Sequence, residues 1–355
     1  MPYAELEHKA AGHSGTLADG ALVFKPLSEQ ELAWYRAVGQ PEDTANSDEE
    51  DSGDVPLWRW MPVFLGTLDE GISQGADSIA AAGQAGATLL TTGETPAELG
   101  QTPAVSPPGQ PAPTTQRYLV LENLTAGFRS PNVLDVKLGS VLTDSAAPPE
   151  KQARLAEVSR STTSGPLGFR VCGMRIAPNA RALACPAEQR EPQGDYLLLN
   201  KHYGRARTPA DVAGAFETYF SHPRLAPARR AQLQERFFQR LQLFYNTLLD
   251  SEVRLISASL LFVFEGDPSR WDERGDDDPL LPEELDGGES DDEDEDEDED
   301  SAAIHDAPLS RLALIDFAHS TVTPGQGYDE NVLHGVESLM DVFEKMDMAS
   351  LRDPQ

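Results

Sequence analysis

The chain has 355 residues, two cysteines and a formal charge of −32. Residues 267–300 carry −18 of that charge and residues 40–55 another −7, leaving −7 for everything else, so the acidity belongs to tracts and does not exclude a polyanion from a cleft. Cys172 and Cys185 fit neither a disulfide framework nor a zinc spacing. The first residues lack a basic-then-apolar leader and no run is long and apolar enough for a membrane span, so cytoplasm or nucleus is the expected compartment.

Residues 16–27 predict a hairpin about the turn Asp19-Gly20. Ser28 and Glu31 have the spacing of a capping box, ahead of a helix through Leu32, Tyr35 and Arg36. Residues 40–56 form an acidic, polar linker. From Trp58 to Leu68 packing character returns around Trp60, Val63 and Phe64. Residues 70–116 are Gly, Ala, Thr, Pro and Gln with few large apolar side chains; they cannot offset their ordering entropy and are expected to be disordered. Tyr118 to Glu122 is a strand and Asn123-Leu124-Thr125 a connection. In the strand that follows, Leu134, Val136 and Leu138 point one way while Val133, Asp135 and Lys137 point the other. Taken alone, Asp135 and Lys137, ~7 Å apart, fit a cross-strand ion pair on a half-buried sheet better than they fit a site.

Residues 150–160 predict a helix with Lys151 and Arg154 on one face. Gly168 to Ile176 reads as a strand holding Cys172 as a buried thiol. Thr208-Pro209 predicts the start of a short helix through Phe216 and Phe220. In residues 228–249, Leu233, Phe237, Leu241, Phe244 and Leu248 form a core stripe. Ser257 to Phe264 is a buried strand, and the acidic run 267–300 then interrupts, as a solvated loop or as a lure for basic proteins. Leu312 to Asp316 is another strand. Asp329 caps a last amphipathic helix carrying Leu333, Val336, Leu339 and Phe343.

The order of these features suits nucleotide-dependent phosphoryl transfer in a two-lobed kinase. Lys25 ends a strand before a helix bearing Glu31; Glu122 ends a strand before an irregular connection; Asp316 ends a strand late in the chain. Gly12, Gly15 and Gly20 do not form a G-x-G-x-x-G loop and no H-R-D element exists, which argues against a protein kinase. No basic stripe with interleaved aromatics points to direct nucleic-acid binding.

Pro131, Asp135, Lys137 and Gly139 fill the pattern P-x-x-x-D-x-K-x-G. Ser259-Leu260-Leu261, Ile315-Asp316-Phe317-Ala318-His319, His8-Lys9-Ala10-Ala11-Gly12-His13 and Glu31-Leu32-Ala33-Trp34-Tyr35 follow in positions that match further elements. Together they resemble the inositol polyphosphate kinase family, and within it the fungal multikinase members. Lys9 stands where the family has glutamine. The resemblance implies an α+β, two-lobed fold with antiparallel sheets in both lobes and long disordered insertions. The front lobe, residues 1–122, would bind ATP and carry insertions at about 40–56 and 70–116. The rear lobe, residues 123–355, would hold the catalytic and inositol phosphate groups and an acidic insertion at about 267–308.

The resemblance also implies roles. Lys25 touches the ATP phosphates, with Glu31 as its partner unless the capping box claims that carboxylate. Glu122 and Leu124 offer backbone groups to adenine, and Asp135 binds the ribose. Lys137 meets the transferred phosphoryl group and the substrate, and Asp316 holds Mg²⁺. Ser259 supports metal or nucleotide, or serves only its neighbouring strand, and His319 reaches the substrate or packs. Lys151, Arg154, Arg160, Arg175 and Lys201 bind inositol phosphates, unless they are solvated surface charges. The family's alternatives are pyrophosphate-forming inositol hexakisphosphate kinases and trisphosphate 3-kinases. An adaptor for basic transcription or chromatin proteins, with the kinase fold secondary, is the alternative of another class.

Overall fold

The computed structural model describes residues 15–39, 55–69, 116–144, 146–281 and 307–346, and the backbone alone of 4–5, 89–90 and 347–352. The His8–His13 motif and the disorder expected of 40–54, of most of 70–115 and of 282–306 lie outside those residues.

Two six-stranded sheets organise the chain. The front sheet contains β1 (Ala4–Glu5), β2 (Leu17–Asp19), β3 (Leu22–Pro26), β4 (Phe64–Asp69), β5 (Leu89–Leu90) and β6 (Arg117–Glu122), in the order β1-β2-β3-β6-β4-β5. The rear sheet is built from β7 (Pro131–Leu138), β8 (Phe169–Ile176), β9 (Arg190–Gln193), β10 (Tyr196–Leu199), β12 (Ser259–Glu265) and β13 (Ser310–Ile315), in the order β13-β12-β7-β8-β10-β9. A small ribbon pairs β11 (Val253–Arg254) with β14 (Thr321–Val322). Pairing is antiparallel throughout both sheets.

The helices are α1 (Glu29–Val38), α2 (Pro149–Ser161), α3 (Ser164–Leu167), α4 (Ala180–Leu183), α5 (Lys201–Arg205), α6 (Ala213–Phe220), α7 (Pro227–Leu249), α8 (Pro268–Glu273) and α9 (Glu330–Arg352). The rear sheet buries one face. Leu134, Val136 and Leu138 of β7 and Leu260, Phe262 and Phe264 of β12 meet Phe216 and Phe220 of α6, Phe237, Leu241 and Phe244 of α7, and Val336, Leu339 and Phe343 of α9. Phe262 packs 5.1 Å from Phe237 between ring centroids, and Phe216 packs 5.5 Å from Phe343. Each such side chain is worth ~1.5–3 kcal/mol on burial, so this core fixes the sheet and leaves its other face, with Asp135 and Lys137, toward the front lobe.

The front lobe is joined to the rear by aromatic rings. Trp34 of α1 stacks on Phe317 at 5.1 Å, and Tyr35 meets both Phe317 and Phe64 at 5.4 Å. Trp60, in the 3₁₀ turn Leu57–Trp60, donates to Thr247 Oγ1 of α7 at 3.0 Å and meets Phe244 edge-on.

Several local expectations are corrected. The Ser28 side chain makes no cap hydrogen bond, because Glu31 turns inward instead. Val63 is exposed rather than packed. The helix expected from Thr208 begins at Ala213, since Asp211 Oδ1 accepts the Thr208 N–H at 2.6 Å and holds residues 208–212 as a turn. Leu89 and Leu90 pair with Leu68 and Thr67, inside a stretch expected to lack strands. The acidic insertion begins later than 267: α8 buries Arg270 and Trp271, and Asp278 is buried against Arg240. Residues 267–281 fold because those two large side chains and the ion pair supply the burial that composition alone hides.

Candidate active site

Strand β3, helix α1 and the turn after β13 bring three charges together. Lys25 Nζ lies 2.7 Å from Glu31 Oε1 and 2.9 Å from Asp316 Oδ1. Glu31 Oε1 also accepts the Phe317 N–H at 3.0 Å, so the carboxylate that could have capped α1 instead ties that helix to the rear lobe. Burial would lower the Lys25 pKa, but Asp316 and Glu31 outweigh it, and the ammonium is held above its usual range. Asp316 adopts a left-handed backbone, φ 69°, a region Asp tolerates better than bulkier residues. That turn aims its carboxylate at Lys25 rather than along the strand.

On the open face of the rear sheet, Lys137 stands opposite Ser259 of β12 and Arg170 of β8. Its Nζ donates to Ser257 O at 2.5 Å. Gly139, one residue beyond β7, has φ 80°, and a Cβ there would meet Asn331 Nδ2 at 2.5 Å. The final glycine of the P-x-x-x-D-x-K-x-G pattern is therefore required by the backbone, and a Cβ there would also displace the Asn331 amide.

A β-bulge in β8 falls at Cys172: Asp135 pairs with Gly173 and Val136 with Val171. The bulge shifts the alternation by one. Phe169, Val171, Met174 and Ile176 stay in the core, while Arg170, Cys172 and Arg175 share the open face. Cys172 is only half-buried, which corrects the expectation of a core thiol. Burial, with Asp135 adding, pushes it up to about 11 against Lys137 and Arg170.

Lys25, Glu31, Lys137, Lys151, Arg170, Asp316 and His319 line one cavity of about 430 Å³. Four cations thus face two carboxylates in a chain whose net charge is −32. His319 Nδ1 lies 2.6 Å from Asp144 Oδ2. Although burial opposes it, His319 and the backbone N–H groups of Ala146 and Ala147 hold the Asp144 carboxyl below its usual range.

Asp135 is buried on the same face as Lys137, two residues away. The Glu122 carboxylate forks with the Arg311 guanidinium, Oε2 to Nη2 at 2.9 Å, and Leu124 is buried beside it in sequence. Arg175 lies four residues from Lys137 along β7 by register, opposite Val133, roughly 13 Å away. There its guanidinium covers the Tyr196 ring at 3.6 Å, so the structure does not bring it to the cavity. Arg154 is exposed outside the cavity lining, Arg160 is exposed and paired with Glu157 at 2.5 Å, and Lys201 is exposed at the start of α5. Sequence reasoning missed Arg170; only the register against Lys137 could have found it.

One observation bears on a metal. Ser259 is fully buried on the open face, next to Asp316's strand by register with Ile315, and its Oγ has no hydrogen-bond partner among the described residues. A buried hydroxyl left in this way suits a ligand or ligand-bound water. No group of three or more His, Cys, Asp or Glu that could hold a metal occurs among the described residues. One carboxylate plus substrate phosphates is the usual coordination of Mg²⁺, so the residues fit such an ion.

The family model for inositol polyphosphate kinase matches residues 118–344. The inositol polyphosphate multikinase of Saccharomyces cerevisiae is 47% identical over 97% of this chain and 98% of its own. Human inositol hexakisphosphate kinase 1 is 30% identical over 65% of this chain and 52% of its own. The crystal structure of inositol phosphate multikinase Ipk2 from S. cerevisiae, in complex with ADP and Mn²⁺, superposes with a TM-score of 0.68 at 41% identity, covering 92% of this chain and 99% of that one.

Proposed function

The chain belongs to the inositol polyphosphate kinase family, and on that footing we propose that it is an inositol polyphosphate multikinase, transferring the ATP γ-phosphoryl group to hydroxyls of inositol tris- and tetrakisphosphates. The observation that carries this is the convergence of Lys25, Lys137, Lys151 and Arg170 on one cavity of an acidic chain. A polyphosphorylated ring needs such convergence, since each charge-assisted hydrogen bond contributes ~1.5–3 kcal/mol.

Glu122 and Leu124 hold adenine by their backbones, over the small apolar cluster of Val133, Val263, Leu261 and Phe128. Asp135 takes the ribose, and Lys25, held by Glu31, takes the ATP phosphates. Lys137 stands between the transferred group and the substrate, with Lys151 and Arg170 on the inositol phosphates. Asp316 and Ser259 would hold Mg²⁺, which would supply neutralisation of phosphate charge. His319, oriented by Asp144, reaches the attacking hydroxyl. No strong base is required, because loose phosphoryl transfer rests on alignment and charge neutralisation.

The lobes divide at Glu122, where β6 leaves the front sheet. Nucleus and cytoplasm suit two cysteines that are both free thiols. The ten consecutive acids of 291–300 also favour recruitment of basic proteins. Deleting 286–300 would then remove a cellular role and leave turnover within about twofold at physiological salt.

The test is ATP turnover by wild type and Asp316→Asn against inositol phosphates from tris- to hexakisphosphate, with product isomers resolved. Wild type should phosphorylate the tris- and tetrakisphosphates, and the variant should lose on the order of a thousandfold in kcat with unchanged melting. An active Asp316→Asn protein would overturn the mechanism. Turnover of the hexakisphosphate alone would move the chain to the pyrophosphate-forming relatives.

A further inference from the structure

On the far side of the rear lobe, away from the cleft, α7 and α9 enclose a groove of about 910 Å³. Its floor is apolar: Phe238, Leu243 and Met340 are half-buried there, packed against the core but not covered by it. Phe238 and Leu243 lie on α7, outside its core stripe of Phe237, Leu241 and Phe244, and Met340 lies on α9. The rim is acidic. Glu337, Asp341 and Glu344 recur at helical spacing along α9, and none of the described lining residues is lysine or arginine. Asp341 and Glu344 are exposed, with no ion pair recorded for either among the described residues.

Leu280 closes one end of the groove. One residue later, from Leu281, the chain enters residues 282–306, which hold fifteen acids and no lysine or arginine. Like charge makes an acidic sequence of this kind a poor match for that rim, and a basic one a good match. A groove about 12 Å long, from Phe238 to Asn246 along α7 at ~1.5 Å per residue, with an apolar floor and a row of carboxylates along its α9 side, is complementary to a short helix with one apolar and one cationic face. Met340 adds an adaptable contact.

We propose that the α7–α9 groove is a docking site for a basic amphipathic helix of a partner protein, separate from the catalytic cleft. It rests on the groove itself and not on the acidic run.

The experiment measures binding of a fluorescent Leu–Lys amphipathic peptide of roughly five helical turns to the full-length protein at physiological salt. The same composition in scrambled order serves as control. Wild type should bind the amphipathic peptide at least tenfold tighter than the scrambled one. Asp341→Lys with Glu344→Lys, and separately Met340→Asp, should each weaken binding at least tenfold while leaving kinase activity unchanged. Deleting 286–300 should change affinity less than threefold. Equal binding of the scrambled peptide, undiminished binding by the charge-reversed protein, or loss of binding on deleting 286–300 would each overturn the proposal. So would light scattering that shows a dimer of this chain split by the charge reversal, since the groove would then be filled by a second copy.

Discussion

Lys137 and Arg170 lie side by side just beyond a β-bulge, and only one of them could be picked out from the sequence. Lys137 sits in a pattern with Pro131, Asp135 and Gly139, of which Gly139 has a structural reason in its left-handed backbone. Arg170 sits five residues before Arg175, an odd spacing that puts them on opposite faces of a regular strand. The bulge at Cys172 removes that parity and leaves both on the open face, Arg170 in the cavity and Arg175 farther along the strand against Tyr196. We therefore expect Arg170→Ala to raise KM for inositol phosphates by about 10- to 100-fold, the equivalent of one charge-assisted bond, with KM for ATP within threefold. Arg175→Leu should move neither constant and should instead lower thermal stability. Steady-state kinetics on both variants decide between them, and a selective loss in Arg175→Leu would reverse the assignment.

At the scale of elements, the helices were legible where an apolar stripe was long, as in α7 and α9, and misjudged where a few contacts override composition. The segment 267–281 is the clearest case. Arg240 of α7, itself buried, donates to Pro279 O at 2.7 Å, Leu280 O at 2.7 Å and Ser310 Oγ at 2.6 Å, and pairs with Asp278 at 3.4 Å. Arg270 donates to Ala307 O at 2.8 Å. Both ends of the acidic insertion are thereby pinned to one side of α7. Asp278→Ala leaves Arg240 charged and buried, so urea unfolding should show a loss of about 3–5 kcal/mol. Arg240→Met with Asp278→Leu should cost clearly less, because neither charge remains; a double variant as unstable as the single would refute the pairing.

The turn between α6 and α7 carries a second test. Burial first, then Arg224 and Arg230, pull the pKa of His222 down to about 4. The unfolded chain takes up its proton near the ordinary value of about 6.5, so the stability held by neutral His222 is full above that pH and lost as pH falls toward 4. The stability difference between wild type and His222→Asn should shrink by up to about 3 kcal/mol over that interval. A difference constant with pH would show that His222 is not buried neutral.

Over the whole molecule, the charge distribution sets a conflict that neither sequence nor fold shows alone. A substrate bearing several phosphates must approach a chain of −32 in order to reach a cavity lined by four cations and two carboxylates. The two fields differ in range. Contacts inside the cavity act over a few Å and survive physiological salt, whereas repulsion from the acidic run acts over tens of Å. Screening length is about 30 Å at 0.01 M salt and about 8 Å at 0.15 M, so the long-range part disappears between those conditions. The encounter rate, and with it kcat/KM at subsaturating substrate, should therefore be suppressed at low salt by residues that never touch the ligand. Removing 286–300 deletes twelve acids and no base. It should raise kcat/KM for inositol phosphates about two- to tenfold at 0.01 M salt and leave it unchanged at 0.15 M. A neutral competitor such as free inositol should show no such salt dependence. If the deletion acts equally at both salts, the segment must touch the site or alter its geometry, and the separation between an acidic exterior and a cationic cleft would have to be given up.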